Sequence, residues 1–329
     1  MTQKIFVLIT GMHRSGTSFL ARALNLGGVS LGPFESMISN DWIPLDDNPR
    51  GHWENKDLLD LGKLTLKNNG GSWDNIPSKI NIDEKFGKKI TNSVNQLVDT
   101  YFPVSGFKDP RIIFTLDSWG KYLPKNIVLI GIFRHPLKVA ESLKIRDNFS
   151  YEKSIKLWLK YNVGLLKILK DYNGFLLDFD WPKNKLLEET KSILKKLGLV
   201  GNIDLTKWYT DKLFRSDKTF DSEFPLSKNV LNIYDQLQKK SEKNNEEKIN
   251  FSGLIDNSEL SYALLMEIQS QADYFKIIYT SEKKLVKEKL SEIKQLNNVL
   301  QDKTTEIKQL KDEQSSIKKF LIQEININE

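Results

Sequence analysis

The chain has 329 residues, no cysteine and three histidines, which excludes a disulfide framework, a thiolate zinc site and a cysteine nucleophile and argues against a histidine metal cluster. Apolar residues at 39% and charged residues at 28% place it among soluble globular proteins, and the length suits roughly two domains with one large core. The net charge of +6 suits an anionic ligand, but no stretch has the dense basic face or aromatic platform of a nucleic-acid binder, so no nucleic-acid partner is expected.

The first strand begins almost at once, so no signal peptide is expected. The longest apolar run, Ile127 to Phe133, is far too short to span a membrane. A cytoplasmic protein without a transmembrane segment is expected, with peripheral membrane attachment left open. The apolar, β-branched run Ile5–Ile9 predicts a strand buried on both faces. Phe19–Leu26 predicts a helix, with Leu20, Ala23 and Leu24 at helical spacing. Between them lies Thr10-Gly11-Met12-His13-Arg14-Ser15-Gly16-Thr17-Ser18, a layout that turns backbone N–H groups and a helix N-terminus toward an anion.

After a polar, irregular stretch that includes Asn48-Pro49-Arg50-Gly51-His52-Trp53-Glu54, helices are predicted over Lys56–Lys67 and Phe86–Tyr101. Strand-like runs at Val104–Phe107 and Ile127–Phe133 lead into Lys108-Asp109-Pro110-Arg111 and Arg134-His135-Pro136, the second followed by a helix over Leu137–Leu143. A fourth run, Phe175–Phe179, ends at Asp180-Trp181-Pro182, and Leu186–Leu197 reads as a helix closed by Gly198. Strands alternating with helices predict an α/β fold of three layers with a central parallel sheet, whose ligands sit beyond the carboxyl ends of the strands. Arg14, Lys108 and Arg134 all fall there.

The body is expected over 1–238 and a polar linker over 239–254, followed by a helical segment over 255–329. Val286, Ile293, Leu300, Ile307 and Leu321 are spaced by multiples of seven, with Leu296, Leu310 and Ile317 three residues after positions of that series. That is a coiled-coil seam, interrupted by Gln314, Lys289 and Lys303, and a homo-oligomer or a partner protein held through 281–329 is expected from it.

Gly11-x-x-x-x-Gly16 has the spacing of the P-loop, but Thr17 stands where that motif carries Lys. The cation has moved into the loop as Arg14, and Arg134 stands at a strand end where triphosphate enzymes need a carboxylate for magnesium. Arg134 with Ser142, about two helical turns on, makes a natural clamp for a second phosphate. Two anion sites without a magnesium apparatus suggest a nucleotide with phosphates at two separate positions, and no metal is expected.

These residues resemble motifs of the sulfotransferases that use 3′-phosphoadenosine 5′-phosphosulfate (PAPS), in their bacterial form and its glycan and tyrosylprotein relatives. His13–Ser18 resembles their 5′-phosphosulfate loop and Arg134 with Ser142 their 3′-phosphate motif, over roughly residues 4–215. The resemblance implies a P-loop-type fold and sulfuryl transfer from PAPS to an acceptor hydroxyl or amine; a glycan or glycolipid acceptor is expected ahead of a small molecule or a protein tyrosine. It implies that Arg14, Ser15, Gly16, Thr17, Ser18, Arg134 and Ser142 bind the donor. It further implies that Lys108 assists the transfer and that Glu54 is a carboxylate base; Arg14 is expected to neutralise charge beside Lys108, and His52, whose imidazole ordinarily titrates near neutrality, is the competing base. A carboxylate shielded by Trp53 would have its pKa raised toward a useful value. His13 is expected to shape the loop and His135 to pack behind Arg134. Trp42, Trp53, Trp73 and Trp119 suit either a sugar site or the core. Two alternatives remain: a small-molecule P-loop kinase, and a non-catalytic nucleotide-binding scaffold acting through its coiled coil.

Overall fold

The structure is a computed structural model that describes residues 4–33, 36–38, 51–98, 102–199, 224–244 and most of 288–308. Four strands, β1 (Ile5–Thr10), β2 (Val104–Lys108), β3 (Ile127–Phe133) and β4 (Gly174–Asp178), form one all-parallel sheet in the order β2-β1-β3-β4. The chain leaves β1 for β2 on one side and returns for β3 on the other. The topological switch point, where such sheets hold their ligands, is therefore between β1 and β3.

Among the described residues eight α-helices surround the sheet: α1 (Thr17–Leu26), α2 (Lys56–Asn68), α3 (Glu84–Val98), α4 (Ile112–Trp119), α5 (Pro136–Asp147), α6 (Tyr151–Asp171), α7 (Lys183–Lys196) and α8 (Lys228–Ser241). Strand periodicity sorts them into two layers. Phe6 and Leu8 of β1, Phe107 of β2, Leu129 and Phe133 of β3 and Leu176 of β4 point into one large core with residues from α2 to α6 and from α8. The alternate residues Val7, Ile9, Ile130 and Ile132 are just as buried but lie outside that core, and on their side α1 and α7 pack on the strands and on each other. The expected three layers are present.

The predicted helices over 56–67, 137–143 and 186–197 and all four predicted strands are present within a few residues. Of the helix predicted to Tyr101, residues 99–101 lie outside the described set. Gly198 follows α7 with φ 75°, as its predicted capping role requires. The sequence reading assigns no element to α4, α6 or α8.

Both sheet edges are occupied. Beside β2, Ser30 N–H donates to the Val104 carbonyl at 3.0 Å and the Ser30 carbonyl accepts from Gly106 N–H at 2.9 Å. Beside β4 the same is done by one side chain: Asn244 Oδ1 accepts from Leu176 N–H at 2.9 Å and Asn244 Nδ2 donates to the Leu176 carbonyl at 2.8 Å. Edges left open invite pairing with other chains. The body thus extends at least to Asn244. The rest of the expected linker lies outside the described residues.

Residues Gln269–Glu329 form a separate compact unit. Its described residues, within 288–308, are helical, with Ile293, Leu296 and Leu300 exposed. Val286, Ile307, Leu310, Ile317 and Leu321 of the predicted seam lie outside the described residues. Among the described residues, no helix is long and apolar enough to cross a membrane.

Replacing Asn244 by Ala strips both Leu176 backbone groups of their partners in a buried site, which should cost about 1–3 kcal/mol of stability. Urea unfolding of the native chain and Asn244→Ala measures the difference. An unchanged midpoint would mean that the edge of β4 is satisfied in another way.

Candidate functional site

The loop after β1 is shaped by backbone conformations that few residues tolerate. Gly16, the residue before α1, sits at φ 89°, and a Cβ there would lie 2.3 Å from the Phe179 ring. Arg14 takes φ 69°, a left-handed conformation uncommon for a residue with a side chain. The bend that results sends the Arg14 side chain toward α5, where Arg14 Nε donates to Ser142 Oγ at 2.8 Å. That bond crosses the switch point. The two expected phosphate subsites, one on the loop and one on α5, are therefore in direct contact. Ser15 and Thr17 are buried within the loop, Gly16 and Ser18 are partly exposed, and Ser15 Oγ has no hydrogen-bond partner among the described residues.

Glu54 reaches the site from a segment anchored at both ends. The Trp53 backbone is left-handed at φ 55°, and its ring lies under the Arg22 guanidinium of α1 at 4.1 Å. Asn55 caps α2, accepting from Leu58 N–H at 3.2 Å and donating to Ser36 Oγ at 3.1 Å. Glu54, held between them, meets Lys108 at the end of β2: Nζ to Oε1 is 2.7 Å, and both side chains are buried. Lys108 also donates to the His52 carbonyl at 3.2 Å. Fifty-four residues of sequence separation close into one ion pair.

The expectation for the Glu54 carboxyl is reversed. Burial, the largest single influence, pushes its pKa up. The charges of Lys108 and Arg111, the Lys108 hydrogen bond and His52 together outweigh burial and hold it below the usual carboxylate range. Trp53 gives no compensating shield, because its ring serves Arg22 on α1. His52 enters the pair by its backbone carbonyl.

Arg134, directly after β3, is buried, with its carbonyl accepting from Trp158 Nε1 of α6 at 2.9 Å. Its guanidinium lies over the Phe179 ring at 5.2 Å, the same ring that Gly16 approaches. Phe179 is thus a wedge shared by the loop and Arg134. The Arg134 Nε contacts Asp180 Oδ1 at 3.4 Å. Asp180 also accepts from Lys138 Nζ at 2.9 Å and from His135 N–H at 2.7 Å. His135 caps α5, with Nδ1 accepting from Leu137 N–H at 3.3 Å, and its ring lies edge-on to Tyr234 of α8 at 5.1 Å. Arg134 is oriented by Asp180, and Ser142 accepts from Arg14.

Sequence reading passes over Asp180 and Phe179, which carry no motif. Their only signal is their place just beyond a strand end. It also leaves Asp109 and Arg111 without a role. Both are buried, with Arg111 Nη1 2.8 Å from Asp109 Oδ1, and burial pushes the Asp109 carboxyl up against the pull of Arg111. Among the tryptophans, Trp119 is core and donates to Thr65 Oγ1 at 3.1 Å. Trp73 has His13, Phe149 and Arg146 around its ring, at 4.6, 5.7 and 5.2 Å. Trp42 lies outside the described residues, as do Asn48, Pro49 and Arg50. No group of three or more metal-ligating side chains occurs among the described residues.

No family model matches the chain. A curated relative, the probable thymidylate kinase 1 of Saccharolobus solfataricus, is 35% identical over 75 residues, which is 23% of this chain. The match spans 39% of that relative's own length. Among solved structures, the sulfotransferase domain of the Synechococcus PCC 7002 olefin synthase is similar with a TM-score of 0.38 and 17% identity, over 80% of this chain and 94% of that one. The sulfotransferase STF1 from Mycobacterium tuberculosis H37Rv is similar with a TM-score of 0.34 and 12% identity, over 73% and 77%.

Asp178, at the end of β4, gives the site a pH signature. Burial raises its pKa to about 6. Between the unfolded value of about 3.9 and that point the folded chain binds the extra proton, so stability from this group is lost as pH rises through about 6. The full shift corresponds to about 3 kcal/mol. Asp178→Asn should therefore gain stability over the native chain at pH 7.5 and lose that advantage near pH 4. Paired thermal melts across that range measure it. A difference that does not vary with pH would show that Asp178 does not titrate in this way.

Proposed function

We propose that the chain is a sulfotransferase that moves a sulfuryl group from PAPS to an acceptor hydroxyl, on a glycan or glycolipid. The reading rests on one observation: Arg14, Lys108 and Arg134 lie at the carboxyl ends of three adjacent parallel strands, around a loop that opens α1. An extended polyanion is the ligand that such a row suits. In this reading the 5′-phosphosulfate sits on Arg14, Ser15, Gly16, Thr17 and Ser18, and the 3′-phosphate on Arg134 and Ser142.

Sulfuryl transfer proceeds in line through a loose transition state, so the protein contributes mainly position and charge. Lys108 is aimed by Glu54 and by the His52 carbonyl, and a preorganised donor of this kind contributes on the order of 3 kcal/mol to a transition state. Glu54 is the carboxylate base that the sequence pattern gives this chemistry. Its side chain faces Lys108, which favours it over His52.

The partial likeness to a probable thymidylate kinase supports a second reading, phosphoryl transfer from ATP. Two residues oppose it. Thr17 replaces the phosphate-binding lysine, and Arg134 stands where a magnesium carboxylate belongs. Turnover of ATP with magnesium, in place of sulfuryl transfer from labelled PAPS, would establish the kinase.

Two variants separate binding from chemistry. Arg134→Ala should weaken binding of 3′-phosphoadenosine 5′-phosphate by about 2 kcal/mol, roughly 30-fold, as loss of a charged contact does. Asp180 retains Lys138 and His135 N–H as partners, so the fold should survive. Calorimetry that finds unchanged affinity would remove Arg134 from the donor site. Glu54→Gln should lower turnover tenfold or more, by about 1.4 kcal/mol at least, with nucleotide affinity retained. Full activity in Glu54→Gln with loss in His52→Ala would reverse the choice between them.

A further inference from the structure

The tail unit carries an apolar stripe that is open to solvent in a single chain. Ile293, Leu296 and Leu300 are 53%, 67% and 66% exposed, on a helix whose described residues within 288–308 are all exposed. With Ile293 and Leu300 at position a of the heptad and Leu296 at position d, positions b, c and f are polar throughout from Lys287 to Lys319. No glycine or proline occurs after Gly253 to break the helix. Such a helix draws its stability from packing its one apolar stripe. What packs there is decided by the residues on either side of it.

Those two flanks carry opposite charge. Position g holds Glu292, Glu306 and Glu313 and no base, and position e holds Lys311 and Lys318 and no acid. In a parallel pair of helices each g residue faces the e residue five places further on in the other chain. Glu306 then meets Lys311 of the second copy and Glu313 meets Lys318, and symmetry makes each contact twice. An antiparallel pair sets like flanks together, Glu against Glu and Lys against Lys, which disfavours it. Gln314, at position a, sets the register. In register it lies beside its own copy, where two amides satisfy each other, and a slip of one heptad puts it against Ile307 or Leu321.

The number of strands follows from the seam itself. Ile293 and Ile307 at a, with Leu296 and Leu310 at d, is the combination that favours two. Lys289 and Lys303 also stand at d. Between two helices their stems can cover the seam while the ammonium reaches water, whereas a core of three or four helices would enclose the charge. The structure shows each lysine already turned to the edge of the stripe. Lys289 Nζ lies 2.7 Å from Glu292 Oε2, and Lys303 Nζ lies 2.6 Å from Glu306 Oε2, both on the g flank.

We propose that residues 281–329 pair with the same segment of a second copy of this chain, as a parallel, in-register, two-stranded coiled coil. The proposal is independent of the donor reading. Light scattering on the full-length protein should give twice the mass of one chain. Ile293→Asp with Leu300→Asp should give the mass of one chain. Tryptophan fluorescence should report a body that still melts cooperatively, since all seven tryptophans precede Gln269. A native chain that is monomeric, trimeric or tetrameric overturns the proposal, and so does a double variant that remains a dimer.

The chain has no cysteine, so single substitutions report orientation. Leu296→Cys and Leu310→Cys lie two heptads apart, about 21 Å along a helix. Each variant alone should form a disulfide-linked pair on mild oxidation, because parallel helices in register bring a d position within disulfide range of its own copy. An antiparallel pair has one centre and can link at most one of the two, so a link at one position or at neither overturns the parallel assignment. Glu306→Lys with Glu313→Lys should raise the dissociation constant about tenfold or more, and adding Lys311→Glu with Lys318→Glu should restore it. Loss without rescue, or no loss, would show that the flanks do not select a second copy and would overturn the proposal.

Discussion

Buried cations have to be compensated, and at the carboxyl end of this sheet three of them each meet a specific carboxylate. Lys108 has Glu54, Arg111 has Asp109, and Arg134 has Asp180, which it shares with Lys138. Removing one partner from a buried pair costs about 3–5 kcal/mol, because the other charge is left without compensation. The carboxyl end of the sheet can gather positive charge in the absence of a ligand only because those three acids come with it. The acids also fix the direction of each cation. Lys108 is additionally bound to the His52 carbonyl, and Asp180 is tied to the start of α5 by His135 N–H. A ligand therefore meets groups that are already aimed.

The same constraint explains why the cations are placed on strand ends. A parallel sheet buried on both faces has its backbone bonds fully used within the ladder, and its loops beyond the carboxyl ends face the switch point. Thr10 pairs with Gly131 and Phe133 with Asp178, so β1, β3 and β4 finish close to one level. Residues one to four places beyond those ends converge without help from distant structure. Phe179 adds the cross-link: its ring lies against Gly16 on one side and Arg134 on another.

Much of this was legible in the sequence, and the physical reason is periodicity. Runs such as Ile5–Ile9 and Ile127–Phe133 announce buried strands, and whatever follows them must lie at the ligand edge. Arg14, Lys108 and Arg134 could be read that way. Their partners could not. Glu54 comes from a loop whose position depends on Trp53 reaching Arg22 and Asn55 capping α2, contacts that no local pattern encodes. Asp180 is two residues past a strand, in a turn where its own N–H bonds to Asp178 Oδ1 at 2.8 Å. The long helix α6 was hidden by lysines between its apolar positions. In the structure Ile155, Trp158, Tyr161, Leu165 and Ile168 all face the core. The direction of the Glu54 shift also depends on charges assembled from separate elements, which no reading of neighbours could sum.

His13 shows what the pairing leaves over. Every acid near the loop is already committed to a cation, so the imidazole among them has no counter-charge and stays neutral. An acid placed beside it would make it a permanent imidazolium, unable to accept a proton. With four cations around it, the ring instead responds to whatever negative charge enters the site. A neutral ligand would leave that balance as it is. A polyanion would change it at the cations and at His13 together, since Arg14 and Lys108 act on both.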